Sequence, residues 1–415
     1  MGGDEPRVAV ARVLPLYLVV FIGFVGYSLM ITVFTPLFLG DDGELLAAGA
    51  STSQRTLVLG VVLALYPLAQ FLGSPVMGSL SDRFGRRPVL LASLLASACC
   101  YALIAIALSA GSLALLMVAC FLAGLSEANI TIAQSAIADL ASPGQRGRLF
   151  GYVYLSSSLA YVIGPLAGGK LADPGLASWF GDSTPYWAVA GLLLATLAIT
   201  FVAFRETHPP AGSAGVGLSA AFANLGRAFA AGPIRPLFAA NFVLYLAIFG
   251  FFRVYPIYLV DQFEMGVSQE SEFIAWVAVP IVIANLGLVA ALSRRWAPRE
   301  LTIRFATVLA VFLVLVVVPR PEGALWFTLA GCSLALAVCL PAMASMISTA
   351  VGEREQGAAL GSNQSLQVGA EGVSGLAGGG LAAISTSLPL PTMGALALLG
   401  AGMLARPAAR ATSSP

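Results

Sequence analysis

Three ionisable side chains in this 415-residue chain lie inside long apolar runs: Glu127, Arg253 and Glu371. Charge is costly in an apolar medium, so such a group reads first as a functional one. Glu127 is followed by Thr131 and Gln134, and Glu371 is preceded by Gln364 and Gln367. Spacings of three, four and seven put each set on one face of a helix. A carboxyl there can take up and release a proton, and a guanidinium can hold an anion. Glu127 is the first candidate for the proton carrier and Glu371 the second. The competing reading is that one of them forms a static buried pair with Arg253. Tyr27, Tyr66, Gln70, Asn129, Asn241, Tyr245 and Asn285 are further polar residues in apolar surroundings. They are candidates to line a cavity for a small molecule.

Other chemistries find no support. The five cysteines (Cys99, Cys100, Cys120, Cys332 and Cys339) lie in apolar runs without metal-ligand spacing, and the one histidine, His208, sits beside Pro209 and Pro210. No metal and no cofactor is expected. There is no phosphate-binding loop and no nucleophile with a histidine base, so an enzyme is not expected. A net charge of +1 gives no field for nucleic acid.

What positions these residues follows from composition. Apolar residues make up 58% and charged residues 10% of the chain, too few charges to cover a water-soluble protein of this size. The expected surroundings are a lipid bilayer. A span needs roughly 20 apolar residues. Twelve such stretches fall at about 13–39, 56–80, 88–109, 112–138, 148–172, 186–204, 236–260, 272–293, 301–318, 324–349, 357–383 and 390–405. The first is too long for a cleavable signal. An even number of spans puts both termini on one side. Seventeen arginines then fall on that side, against Arg55, Lys170 and Arg320 on the other. The positive-inside rule makes the arginine-rich side cytoplasmic. Twenty of the 21 basic residues are arginine. With the abundance of Ala, Gly and Leu, this bias points to GC-rich coding and to a bacterial inner membrane.

The two halves echo each other. GSLSDRFGRR at 78–87 answers AALSRRWAPR at 290–299, and GPLAGGKLA at 164–172 answers SGLAGGGLA at 374–382. The expected architecture is all-α: twelve transmembrane helices in two six-helix repeats, residues 1–204 and 236–415. A cytoplasmic linker, 205–235, joins them. Paired repeats of this kind are typical of secondary transporters.

The loop between spans two and three carries Gly78, Asp82, Arg83, Gly85, Arg86 and Arg87 in the pattern G-x-L-S-D-R-x-G-R-R. Here the sequence resembles the major facilitator superfamily, and in that family the motif is thought to latch the two halves in one conformation. Span five carries Gly151, Gly164-Pro165 and Gly168-Gly169, with Ala160 at one glycine position. That pattern resembles the proton-antiporter branch that includes tetracycline and multidrug exporters. The branch often has an Asp in span one and an Arg in span four, where this chain has Gly23 and Cys120.

The resemblance implies alternating access to a central site lined by spans one, four, seven and ten. The expectation is a proton-coupled exporter of a drug or metabolite, with protons, a small-molecule substrate and lipid as partners, acting as a monomer. The alternative within the same fold is an importer or facilitator, with Arg253 binding an anionic substrate.

Overall fold

The computed structural model describes residues 10–40, 45–46, 49–140, 146–207, 234–318, 321–351 and 356–405. Most of the expected linker, 205–235, lies outside the described residues. Among the described residues twelve helices follow one another: α1 (Val10–Leu39), α2 (Thr52–Phe84), α3 (Arg86–Ser109), α4 (Leu113–Leu140), α5 (Arg146–Leu171), α6 (Thr184–Ala203), α7 (Arg235–Phe263), α8 (Val267–Ser293), α9 (Pro298–Val317), α10 (Gly323–Thr349), α11 (Gln356–Ile384) and α12 (Pro389–Ala405). No strand occurs among the described residues. In hydrocarbon the backbone must satisfy its own hydrogen bonds, and a helix does so within one segment. Where helices begin, local chemistry takes over. Ser51 and Gln54 form a reciprocal capping box at α2, with bonds of 3.3 and 3.0 Å. Prolines open α6, α7 and α9, where the missing N–H costs nothing.

Each helix holds one of the twelve expected spans, but the ends differ. α2 runs well beyond 56–80. α8 begins at Val267, five residues before the expected start at 272. The residues 267–271 are polar enough to read as a loop, yet Glu270 and Ser271 are wholly buried.

One apolar core gathers residues of α1 to α6, including Leu16, Phe34, Leu94, Tyr101 and Tyr186, and reaches Ile257 of α7 and Ala382 of α11. A second gathers residues of α7 to α12, including Phe251, Leu309, Leu336 and Met393. The two bundles meet chiefly through α2 against α11 and α5 against α8. If α2 is the counterpart of α8 and α5 of α11, these two contacts are the same contact seen twice. The echoed glycines bear this out. Gly169 packs against Ser271 of α8, and Gly379, 210 positions later, packs against Gly60 of α2.

The seal between the bundles is graded. A Cβ on Gly379 would stand 2.7 Å from the Cα of Gly60, and one on Gly375 3.2 Å from Ala64. Only glycine lets the backbones approach so closely. Further along α11, a Cβ on Gly369 would meet only Phe71, at 3.9 Å, and near the far end of α2 one on Gly78 would meet nothing within 4 Å. The polar contacts follow the same gradient. Ser53 Oγ donates to the Ala383 carbonyl at 2.5 Å, and Lys170 Nζ donates to Ser268 at 2.7 Å and to Glu272 at 2.9 Å. Among the described residues, the bundles are therefore closest at the arginine-poor end, and their contacts thin toward the arginine-rich end.

Candidate functional site

α4 is interrupted at Ala128–Asn129, directly after Glu127. Hydroxyls take over backbone acceptors on both sides of the break: Ser126 donates to the Ala123 carbonyl at 2.9 Å and Thr131 to the Ala128 carbonyl at 2.7 Å. Glu127, Thr131 and Gln134 were expected on one face of an unbroken helix. The break separates Glu127 from the other two, which are half-buried.

Glu127 is 1% exposed. Its Oε2 accepts a hydrogen bond from the Tyr66 hydroxyl of α2. Tyr101 of α3 faces the same carboxyl, and Oε1 has no partner. No cation pairs with Glu127 among the described residues. Gly23 of α1 lies alongside, where a Cβ would stand 3.6 Å from Oε2.

Glu371 is held differently. The Tyr27 hydroxyl donates to its Oε1, and Arg253 Nη2 lies 3.3 Å from the same oxygen. Arg253 Nη2 also donates to the Tyr27 hydroxyl, and the guanidinium lies over the Tyr27 ring, 4.9 Å from its centroid. This cation–π contact and the ion pair together hold a charge that is 2% exposed. Arg253 Nη1 remains unpartnered.

The two carboxyls are linked. The Tyr27 and Tyr66 rings stack with centroids 4.7 Å apart and planes 26° from parallel. Two polar clusters, Glu127 with Tyr66 and Glu371 with Tyr27 and Arg253, are thus joined by a stacked ring pair, and the second crosses from the first bundle to the second. Beside it stands an aromatic wall: Tyr161 of α5 lies 5.7 Å from Phe24 of α1 and 6.4 Å from Phe252 of α7.

The remaining candidates are scattered around these clusters. Gln70 and Gln367 are half-buried, Asn129 is buried, and Gln364 and Asn285 are exposed. Asn285 sits in a wide π-helical turn, Ala284–Leu288, that follows Pro280 in α8. Asn241 and Tyr245 are not brought to the carboxyls. They form a buried network inside the second bundle, with Asn241 Nδ2 donating to Asn363 Oδ1 at 3.1 Å and Asn363 Nδ2 to the Tyr245 hydroxyl at 2.7 Å.

The α2–α3 loop makes a separate cluster at the arginine-rich end. Arg86 reaches Asp82 at 2.6 Å, Ser81 at 2.5 Å and Asp139 of α4 at 3.2 Å. Arg87 donates to the Phe201 carbonyl of α6 at 2.7 Å. Glu206, just past α6, accepts from the backbone N–H groups of Arg86 and Arg87 at 2.8 and 3.0 Å. A carboxylate is well placed on a helix N-terminus. Gly85 is required twice: its φ is 97°, and a Cβ would stand 2.5 Å from Glu206 Oε2. Gly78 and the exposed Asp82 and Arg83 complete the loop. In the span-five motif, Gly164 and Gly168 pack against Ser28 and Leu29 of α1 beside Pro165. The surroundings of Gly151 lie outside the described residues.

The model of the Major Facilitator Superfamily matches residues 16–371. The chain belongs to this superfamily. Its members are transporters and not enzymes, and the chain is a multi-pass membrane protein of that family. Among curated relatives, the class G tetracycline resistance protein of Vibrio anguillarum is 29% identical over 308 residues, covering 74% of this chain and 76% of that protein. The class C tetracycline resistance protein of Escherichia coli is 40% identical over 149 residues. The match spans 35% of the length of the class B and class C proteins. Among solved structures, the human organic anion transporter MFSD10 (TETRAN) has a TM-score of 0.71 at 20% identity, covering 97% of this chain and 100% of that one. A D-xylose-proton symporter has a TM-score of 0.74 at 14% identity, covering 96% and 98%. Both likenesses speak to the fold.

Tyr101, Glu206 and Glu270 were not among the sequence candidates. Tyr101 sits in a span with no other sign of function. Glu206 follows the last apolar residue of α6 and reads as a linker residue. Glu270 falls in the five residues of α8 that read as a loop.

Proposed function

We propose that the protein is a proton-driven exporter of a small amphipathic compound, working in a bacterial inner membrane with both termini in the cytoplasm. Glu127 is the proton carrier, and the observation that carries the reading is its position against Gly23. The exporters this chain resembles often place an Asp at that point of span one. Here the carboxyl reaches the same place from α4, so the absent span-one charge is supplied by another helix. Its neighbours are phenols and no cation, which lets the group alternate between neutral and charged forms as the halves rock. The aromatic wall of Phe24, Tyr161 and Phe252 suits an amphipathic cargo. The tetracycline resistance proteins among the relatives support export, and tetracycline is the first compound to try. The α2–α3 loop is proposed to act as a conformational latch, in which Asp82 and Arg86 exchange partners during the cycle.

The test is efflux from proteoliposomes loaded with tetracycline or a fluorescent amphipathic compound and diluted into acidic buffer. Gradient-driven efflux that Glu127→Gln abolishes, with substrate exchange in the absence of a gradient retained, supports the reading. Efflux in Glu127→Gln equal to wild type overturns it. A second reading, a carrier for an organic anion, is favoured by the unpartnered Nη1 of Arg253. In that case Arg253→Met removes binding of the anion and the gradient has no effect.

A further inference from the structure

The α2–α3 and α8–α9 loops hold equivalent places in the two repeats, but their charges are arranged differently. In the first, Arg83, Arg86 and Arg87 are matched by Asp82, Asp139 and Glu206, which gather at the same end. In the second, Arg294 stands 212 positions after Asp82, an arginine in the place of the acid. Four arginines, Arg294, Arg295, Arg299 and Arg304, then share Glu300 as the one acid of this loop and of α9. Glu300 is taken by Arg304, whose guanidinium also lies over the Trp296 ring, 4.4 Å from its centroid. Arg299 Nε donates to the Leu404 carbonyl at the end of α12, at 2.7 Å. Arg294 and Arg295 are exposed and enter no ion pair among the described residues.

What adjoins these two cations is apolar. Beyond Ala284, α8 packs chiefly against α9 and α10, and none of Val289–Ser293 is buried. Leu286, Ala290 and Arg294 follow at spacings of four and so lie above one another on the helix. All three are exposed, Leu286 to 79%. Leu288, Ala291 and Arg295 repeat the pattern at spacings of three and four, and they are exposed too. Trp296, at the same level, has the amphipathic ring that suits a membrane–water boundary. An apolar stripe that ends in two cations fits a molecule with an apolar body and an anionic head. A free anion has no use for the stripe, and a neutral lipid has none for the cations. We infer that the α8–α9 loop is a binding site for an anionic phospholipid, with its phosphate on Arg294 and Arg295 and an acyl chain along Leu286 and Leu288. The general excess of arginine at this end does not account for the site, because the equivalent loop of the first repeat is electrically balanced.

Trp296 supplies a reporter at the site, since Trp179, Trp187, Trp276 and Trp326 all lie in the arginine-poor half. The test uses the full chain in phosphatidylcholine nanodiscs that contain rising fractions of brominated phosphatidylglycerol or of brominated phosphatidylcholine. Bromine quenches a tryptophan only at close contact, and the difference between the parent and Trp296→Phe isolates the Trp296 signal. Each arginine beside an anionic headgroup contributes about fivefold in affinity, so half-maximal quenching is expected at about a twentyfold lower fraction of the phosphatidylglycerol. The preference should shrink in high salt. Arg294→Gln/Arg295→Gln, made at two exposed positions, should bring the two lipids close to parity. Arg83→Gln, in the balanced loop, should leave the preference unchanged. Equal quenching by both lipids in the parent, a preference that survives the double variant, or an equal loss in Arg83→Gln overturns the proposal. So does abolition of the preference by inorganic phosphate at constant ionic strength, which makes this a site for a free anion.

Discussion

Glu127 and Glu371 are both carboxyls buried near the middle of the molecule, yet they are built into it in opposite ways. Glu371 has a guanidinium and a phenol on one oxygen and sits where three helices from both bundles meet. Glu127 has phenols only, stays within the first bundle, and keeps one oxygen unpartnered. A paired carboxylate is held charged by its partner, and its free energy is tied to that partner. An unpaired one is free to change protonation state without tearing an ion pair. The first arrangement suits a joint between bundles, and the second suits a group whose charge must change. The stacked tyrosines let each feel the other.

The largest effect should come from breaking the pair. Arg253→Met leaves Glu371 buried without its cation, and loss of one partner of a buried pair costs about 3–5 kcal/mol. Thermal unfolding of the purified protein should show a large fall in midpoint. The double variant Arg253→Met/Glu371→Leu should recover most of it, because the orphaned charge is gone. Glu127→Gln should shift the midpoint little, since the amide oxygen can still accept from Tyr66. Equal losses in Arg253→Met and Glu127→Gln would erase the distinction between the two sites.

The fold and the three buried charges were legible in the sequence, and the contrast between the two carboxyls was not, for identifiable reasons. The apolar runs, the arginine asymmetry and the echoed GPLAGGKLA and SGLAGGGLA segments pointed to twelve helices in two repeats. Those signals are sums over many residues and survive local error. Glu127, Arg253 and Glu371 stood out because each interrupts an apolar run. Their pairing depends on which helix faces which, and periodicity is silent about that. The break after Glu127 was invisible because Ala128 and Asn129 carry no strong breaking signal. Glu270 was missed through an end error of five residues, since the polar string Ser268-Gln269-Glu270-Ser271-Glu272 looks solvated. It is buried on the helix face of Phe273, Ile274 and Val277, against the core of its own bundle. Asn241 and Tyr245 show the converse: they share a span with Arg253 but face a different way.

An intermediate effect should come from the two phenols. Tyr27→Phe keeps the ring that stacks on Tyr66 and lies under Arg253, and removes one hydroxyl that both accepts from Arg253 and donates to Glu371. A hydrogen bond to a charged group is worth about 1.5–3 kcal/mol, and thermal stability should fall by that amount. Tyr66→Phe removes the donor on Glu127 and should cost less stability, about 1 kcal/mol, while lowering gradient-driven efflux more than Tyr27→Phe does. If Tyr27→Phe is the more damaging to coupling, the proton path runs through Glu371 and the roles of the two carboxyls must be exchanged.

The smallest effect should come from Lys170, and its smallness would sharpen the comparison. The two halves of the seal are related by the repeat but made of different material. α2 and α11 close on glycine backbones, whereas α5 and α8 add an ion pair between Lys170 and Glu272 whose side chains are 41% and 50% exposed. Ion pairs this exposed contribute about 0–1 kcal/mol and are screened by salt. Lys170→Met should therefore move the closed population only slightly at low ionic strength and not at all at high salt. A spin-label distance across α5 and α8 reads this directly. A large shift that persists in high salt would mean that Lys170 closes the seal through more than its exposed pair with Glu272.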